Sequence, residues 1–133
     1  MPSELLIGLR REYARAVRYH QDLALLLVDL PPSSEVLGRV RDAVRLCDSA
    51  SPAPGDRVAV ILPETTLTGA LLVATRLAGA LGPSPTTGGP RSVGVGSYPS
   101  PSIADAAGLL RAAEKALEMA RSRGGGTLTP LSR

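Results

Sequence analysis

The hydrophobic positions of the chain alternate between helical and extended spacing, and this alternation predicts the order of its elements. Apolar residues recur every three to four positions near the start of the chain, which is typical of an amphipathic helix over 3–21. Two short, mainly apolar runs within 23–28 and 56–63 are expected to be central strands, buried on both faces. The segment 92–98 alternates between apolar and small or polar residues and predicts a further strand.

Three more helices are predicted between and after these strands. The first begins at Ser33 or Ser34 and ends near Asp48, because serine is a favourable N-cap. Its buried stripe is expected to consist of Val36, Leu37, Val40, Val44 and Cys47. The next helix is capped by Thr65 or Thr66 and runs to Leu81; it is apolar nearly all round, so we expect it to be well buried.

Proline and glycine mark the connections. The segment 49–54 is predicted to be a loop or an irregular edge strand, and 82–90 a flexible loop. Ser102 with Asp105 forms a capping-box variant that begins the last helix. The glycines at 124–126 end that helix, and 127–131 could add a final edge strand. Helices and strands that alternate in this way predict an α/β sandwich with helices on a central sheet.

Composition limits the class of protein. The 133 residues suffice for one domain, and its core must be aliphatic, because the chain has no Phe and no Trp. A net charge of +3 with so few aromatic residues gives little support for nucleic-acid binding. His20 and Cys47 are the only residues of their types, so we expect neither a disulfide nor a metal site built on them. No apolar run reaches the roughly 18 residues that span a bilayer, so we expect a cytoplasmic protein without membrane insertion.

Four segments, in order, resemble the GGDEF family, the diguanylate cyclase domains that join two GTP molecules into cyclic di-GMP. They are LALLLVD at 23–29, PGDRVAVILPET at 54–65, SVGV at 92–95 and AEKALEMAR at 113–121. The resemblance implies a palm-like, mostly antiparallel α+β sheet flanked by helices and shortened by about one helix, because one helix replaces two after the first strand. It also implies a domain over 23–131, preceded by an N-terminal helix over 1–22 that leads into it.

The catalytic signature departs from the family pattern. Where the family has its glycine, acid and aromatic, this chain has Pro54, Arg57 and Val58. The remnant of the active site is expected to consist of Asp29, Pro54, Gly55, Asp56, Arg57 and Arg121. A guanidinium among these acids repels divalent ions. We therefore predict no catalytic residue, no metal, no cofactor and no cyclase activity.

Arg57 suggests a structural substitute for the metal. If it reaches Asp29 or Asp56, a salt bridge occupies the old metal site. The equally weighted alternative is that Asp56 merely favours the turn and Arg57 points into water.

A second candidate site precedes the hairpin. Arg45 and Asp48 form an RxxD motif at the offset where active GGDEF domains bind their product cyclic di-GMP. Arg41 is expected on the same helix face as Arg45 and could add a second cation. The alternative is a solvated pair at the end of a helix.

Two functions are consistent with these residues. One is a regulatory module that acts as a protein-interaction or scaffold domain, for which an acidic protein partner or a homodimer is conceivable because the first two helices carry arginine clusters. The other is a cyclic di-GMP receptor that uses Arg45, Asp48 and Arg41. The sequence favours the first slightly, because a fold does not carry its function once the site is gone.

Overall fold

The computed structural model describes residues 4–84 and 88–128, which form a mixed five-stranded sheet covered by four helices. In chain order the elements are α1 (Glu4–Tyr19), β1 (Leu23–Val28), α2 (Ser34–Ala43), β2 (Ser49–Ala53), β3 (Arg57–Pro63), α3 (Leu67–Leu81), β4 (Ser92–Tyr98), α4 (Ala106–Ser122) and β5 (Gly126–Leu128). The predicted α+β class is confirmed, and a single helix connects β1 to β2.

The strands lie in the order β2-β3-β1-β4-β5. The first four are antiparallel to their neighbours, and β5 is parallel to β4. Val28, at the end of β1, is paired with Val58 on one side and Val93 on the other. The end of β1 and the beginnings of β3 and β4 therefore lie side by side, at the edge of the sheet that is formed by strand ends rather than by an outer strand.

The central strands are buried on both faces, as their apolar runs predict. Leu23, Leu25 and Leu27 of β1 pack in a core with α1 and α4. Ala24 and Leu26 point to the other face and pack with α2 and α3. Side chains alternate across a strand, so a continuous apolar run serves two helical layers at once.

Several local predictions need correction. The second helix ends at Ala43 rather than near Asp48, because Val44 adopts an extended conformation and turns the chain toward β2. Cys47 is consequently exposed instead of lying in a buried stripe, and only Val40 of α2 is fully buried. The segment 49–54, for which a loop was the alternative, contains the edge strand β2.

The helix caps are partly as predicted. Ser33 caps α2 and Thr66 caps α3, each through its side-chain oxygen. For α4, Asp105 alone is the cap and accepts the Gly108 N–H at 2.7 Å, so Ser102 is not part of a capping box.

The third helix is less buried than its composition predicts, because the sheet covers only one side of it. Leu72 is largely exposed, whereas Ala70, Ala74 and Leu77 are buried. Residue 3 of the predicted first helix, residues 85–87 of the predicted flexible loop and residues 129–131 of the predicted last strand lie outside the described residues. Over the described part of the chain, no helix combines the length and the apolar character that a membrane span requires.

Candidate functional site

The predicted active-site remnant lies at the sheet edge where β1, β3 and β4 meet. Asp29 follows β1, and its N–H donates to the Ser92 carbonyl at 3.0 Å. Arg57 is the first residue of β3, the strand next to β1. The last turns of α4 bring Arg121 to the same edge. Antiparallel pairing brings Asp29 close to Arg57, and the packing of α4 against the sheet adds Arg121.

A tight turn holds the hairpin between β2 and β3. Gly55 and Asp56 both adopt positive φ angles, 82° and 61°. Glycine adopts this region without strain, and aspartate is one of the few other residues that tolerate it. Pro54 lies at the start of this turn, where it interrupts no pairing between the strands. The turn therefore fixes the position of Arg57 at the beginning of β3.

Arg57 binds neither Asp29 nor Asp56, so the predicted salt bridge is wrong. Its Nη2 donates to Glu118 Oε1 at 2.7 Å, across to α4. The alternative that Arg57 points into water is also wrong, because its side chain is only 14% exposed. The guanidinium that reaches Asp29 is that of Arg121, with Nε 3.2 Å from Oδ2.

Glu118 completes the group, which we name the strand-end cluster (Asp29, Arg57, Glu118 and Arg121). It also accepts from Arg121 Nη1 at 3.3 Å. Sequence reasoning missed Glu118, although its position three residues before Arg121 places both on one face of α4. Each acid contacts at least one guanidinium, and the cluster holds two charges of each sign.

The strand-end cluster does not fit the metal ions that the fold family implies. A divalent cation needs several oxygen ligands with surplus negative charge. Here Asp29 is engaged by Arg121, and Glu118 is engaged by both Arg57 and Arg121. Among the described residues, no group of three or more His, Cys, Asp or Glu side chains could hold a metal ion.

A cavity of about 600 Å³ adjoins the cluster and is lined by Asp29, Glu118 and Arg121 on one side. Arg91, another lining residue, is 7% exposed. Its guanidinium donates to the carbonyls of Leu81 at 3.4 Å and Pro83 at 3.2 Å. Arg91 therefore fastens the end of α3 to β4, since those carbonyls lack helical partners.

The RxxD residues lie in the connection between α2 and β2. Because α2 ends at Ala43, Arg45 is not on a helix face with Arg41, and that part of the prediction is wrong. Arg45 and Asp48 form a bidentate pair, with Nη2 to Oδ1 at 2.9 Å and Nε to Oδ2 at 3.2 Å. The Arg45 N–H also donates to Asp48 Oδ2 at 3.0 Å.

This pair is asymmetric in its environment. The Asp48 side chain is 1% exposed, whereas that of Arg45 is 50% exposed. Arg45 Nη2 also donates to the Pro63 carbonyl at 2.9 Å and to Thr65 Oγ1 at 2.6 Å. The hydrogen bond to Asp48 raises the pKa of Arg45 above its ordinary value. The pair thus ties the connection to the end of β3.

Arg41, Arg45 and Asp48 nevertheless line one open pocket of about 400 Å³, which we name the RxxD pocket. The Arg41 Nη2 donates to the Ala50 carbonyl at 3.3 Å. Two guanidiniums at a solvent-accessible concavity can bind phosphate oxygens. The buried carboxylate of Asp48 already accepts from Arg45, so it is less available to a ligand than the sequence predicts.

The chain matches no family model and no curated protein. Solved structures do match it. The GGDEF domain of YfiN (TpbB) from Pseudomonas aeruginosa is 23% identical with a TM-score of 0.78, covering 99% of this chain and 98% of that chain. The GGDEF domain of DgcB from Caulobacter crescentus, in complex with c-di-GMP, is 14% identical with a TM-score of 0.73, covering 92% and 85%. The diguanylate cyclase SiaD from Pseudomonas aeruginosa, in complex with its activator SiaC, is 22% identical with a TM-score of 0.72, covering 92% and 55%.

These matches extend over nearly the whole chain, and they agree with the antiparallel centre of the sheet and with the resemblance of the four sequence segments. The chain therefore has the fold of the GGDEF domains.

Proposed function

We propose that this chain is a non-catalytic regulatory domain with a diguanylate-cyclase fold, which acts as a protein-interaction or scaffold module. The observation that carries the proposal is the strand-end cluster. At the edge where the family's acids bind metal, two arginines engage Asp29 and Glu118 at 3.2 Å or less. Arg57 and Arg121 neutralise the charge that a pair of divalent cations would need.

The backbone at the hairpin supports the same conclusion. Catalysis in the family depends on glycines that let the nucleotide approach bare backbone. Pro54 adds a ring and removes an N–H at this place. Arg57 then crosses the hairpin, with Nε 3.3 Å from where a Cβ on Gly55 would lie. A triphosphate would have to displace this side chain from Glu118.

Turnover of GTP tests the absence of catalysis. We expect no cyclic di-GMP when the purified chain is incubated with GTP and Mg²⁺ or Mn²⁺ and the nucleotides are separated by chromatography. An active diguanylate cyclase in a parallel reaction is the positive control. Accumulation of the cyclic dinucleotide above a protein-free blank would contradict the proposal.

Protein interaction is the activity that we infer in place of catalysis. The SiaD structure contains a cyclase together with a protein activator, so this fold can coexist with a protein partner. Light scattering of the purified chain distinguishes a monomer from a homodimer. A pull-down from the cells that make it then identifies partners. A cytoplasmic location stays a prediction.

The RxxD pocket favours a second candidate function, the binding of cyclic di-GMP by Arg41, Arg45 and Asp48. The motif and the shared pocket support it, and the DgcB structure contains this ligand. Binding would have to exchange some of the hydrogen bonds that Arg45 makes to Asp48, Pro63 and Thr65. We therefore expect weaker binding than at a preformed site.

Calorimetric titration with cyclic di-GMP tests this second function. If the pocket binds the ligand, Arg45→Ala should weaken binding roughly 10- to 100-fold, as expected for a charge-assisted hydrogen bond. Arg123→Ala is the matched control, because it removes an exposed arginine that does not line the pocket. An absence of heat, or equal affinity for both variants, would remove the ligand-binding role from these residues.

A further inference from the structure

The outward face of α1 carries an unusual concentration of positive charge. Arg10, Arg11, Arg15 and Arg18 are all exposed. None of them forms an ion pair with another described residue; Arg18 lies over the ring of Tyr19, 5.5 Å from its centroid. By contrast, Arg45, Arg57 and Arg121 are all engaged with acids. The four arginines of α1 have no acidic partner in the described part of the chain.

The positions on this face have the spacing of a helix–helix seam. Ile7, Arg11, Ala14 and Arg18 follow one another at intervals of four, three and four residues. These intervals are those of the a and d positions of a coiled coil. Ile7 is 50% exposed, so its apolar side chain is available to a partner. We name this row the α1 seam.

The opposite face of α1 fixes the direction of the seam. Leu5, Leu9 and Ala16 are buried in the core formed with α4 and β1. The helix cannot rotate to hide Ile7 or the arginines without removing these side chains from the core. The α1 seam is therefore a permanent part of the surface.

We propose that the α1 seam docks an acidic amphipathic helix of a partner protein. The proposal rests on the interaction function proposed above and specifies its surface and partner. Ile7 and Ala14 contact the apolar stripe of the incoming helix, and Arg11 and Arg18 pair with its glutamates or aspartates. Arg10 and Arg15 flank the row and add charge on both sides.

Charge excludes a second copy of the chain as the occupant. If two α1 seams faced one another, Arg11 and Arg18 would meet like charges at the centre of the contact. A lipid surface is disfavoured by the small apolar content of this face. Among the described residues of α1, the other exposed large apolar side chains are those of Val17 and Tyr19, whereas helices that lie in membranes bury a wide apolar face.

The test uses a fluorescent peptide of about 20 residues, long enough to cover α1. It carries one leucine per heptad and glutamates on both sides of the leucine stripe. A peptide of the same composition, ordered so that its leucines share no face, is the control probe. Fluorescence anisotropy with the full chain measures binding. We expect the stripe peptide to bind and the control peptide to bind more weakly.

Paired substitutions locate the contact. Arg11→Gln with Arg18→Gln should weaken binding of the stripe peptide roughly 2- to 30-fold, the range expected for two exposed ion pairs. It should also reduce the sensitivity of binding to salt. Arg76→Gln with Arg123→Gln changes the net charge equally at sites off α1 and should leave binding unchanged. Glutamine is a good helix former, so both variants should stay folded, which circular dichroism verifies.

Three results would overturn the proposal. The first is an equal loss of stripe-peptide binding in the Arg11/Arg18 and the Arg76/Arg123 variants, or equal binding of the stripe peptide and the control peptide. The second is binding of phosphatidylserine vesicles through Arg11 and Arg18 with no binding of the stripe peptide. The third is self-association that these two substitutions abolish. A partner from the pull-down that still binds the Arg11/Arg18 variant would refute this surface, yet leave the proposed interaction function intact.

Discussion

Gly94, in the middle of β4, sets the distance between the sheet and α4. A Cβ built on this residue would lie 2.8 Å from the Leu117 Cα, and nearer still to the Ala113 carbonyl oxygen and the Leu117 nitrogen. All three obstacles are backbone atoms, which no side-chain rotation can move. Gly94→Ala therefore forces α4 away from the sheet.

The structure sets the magnitude of this effect. Ordinary contacts of a Cβ lie at 3.4–4 Å, so α4 must shift by an amount on the order of 1 Å. Overpacking of this kind costs about 1–3 kcal/mol, because α4 carries seven buried side chains whose packing against the sheet must shift with it. Replacing glycine offsets about 0.4–1 kcal/mol through the unfolded state. We expect a net loss of about 1–2 kcal/mol in the free energy of unfolding.

Urea denaturation followed by circular dichroism measures this loss. Gly38→Ala is the matched control, since a Cβ at Gly38, within α2, has nothing within 4 Å. That variant should gain about 0.5–1 kcal/mol, because alanine favours a helix over glycine. If the free energy of unfolding of Gly94→Ala lies within about 0.5 kcal/mol of that of the wild-type protein, β4 and α4 do not approach each other as closely as in the structure. The packing of α4 that brings Glu118 and Arg121 to the strand-end cluster would then be wrong as well.

Two further perturbations test the remaining polar contacts. Asp48→Ala removes a buried acceptor of three Arg45 hydrogen bonds and should lower the free energy of unfolding by about 1–2 kcal/mol in urea titrations, with Asp48→Asn losing less. Burial, followed by the neighbouring Tyr98 and Asp105, raises the pKa of Tyr13 above its ordinary value of 10.0. The folded state thus holds the Tyr13 proton to higher pH than the unfolded state does. The free energy of unfolding is therefore unaffected below pH 10.0 and falls as the pH rises toward the raised pKa. Tyr13→Phe should remove this fall from alkaline unfolding curves, and it should also remove the latest step in the tyrosinate absorbance.

The local sequence pattern is sufficient to predict the strands that are buried on both faces of the sheet. The runs that become β1 and β3 are apolar throughout their centres, and both proved to be central strands. The strand β2 was ambiguous because Pro52 and two serines give it a loop-like composition. An edge strand pairs on one side only, so proline is tolerated there, and the contact with β3 decides the outcome.

Most members of the two sites were predictable, with the exception of Glu118, but the ion pairs between them were not. The segments that resemble the family placed Asp29, Arg57 and Arg121 together, and the RxxD motif placed Arg45 beside Asp48. The acid that each arginine pairs with depends on how elements that are distant in sequence pack against one another. Arg57 and Glu118 are 61 positions apart, and only the packing of α4 against the sheet brings them to 2.7 Å. A glycine inside a strand often marks a close approach of another backbone, and Gly94 of β4 faces the backbone of α4 in this way.

The strand-end cluster contributes little to holding this fold together. Three of its side chains, Asp29, Glu118 and Arg121, are 37% to 57% exposed, and ion pairs exposed to this extent contribute about 0–1 kcal/mol each. Stability instead comes from the two apolar layers on either side of β1. Because the core does not depend on this cluster, its residues can be replaced without unfolding the domain. The α1 seam is held by the same core, so substitutions in the strand-end cluster should leave this surface intact.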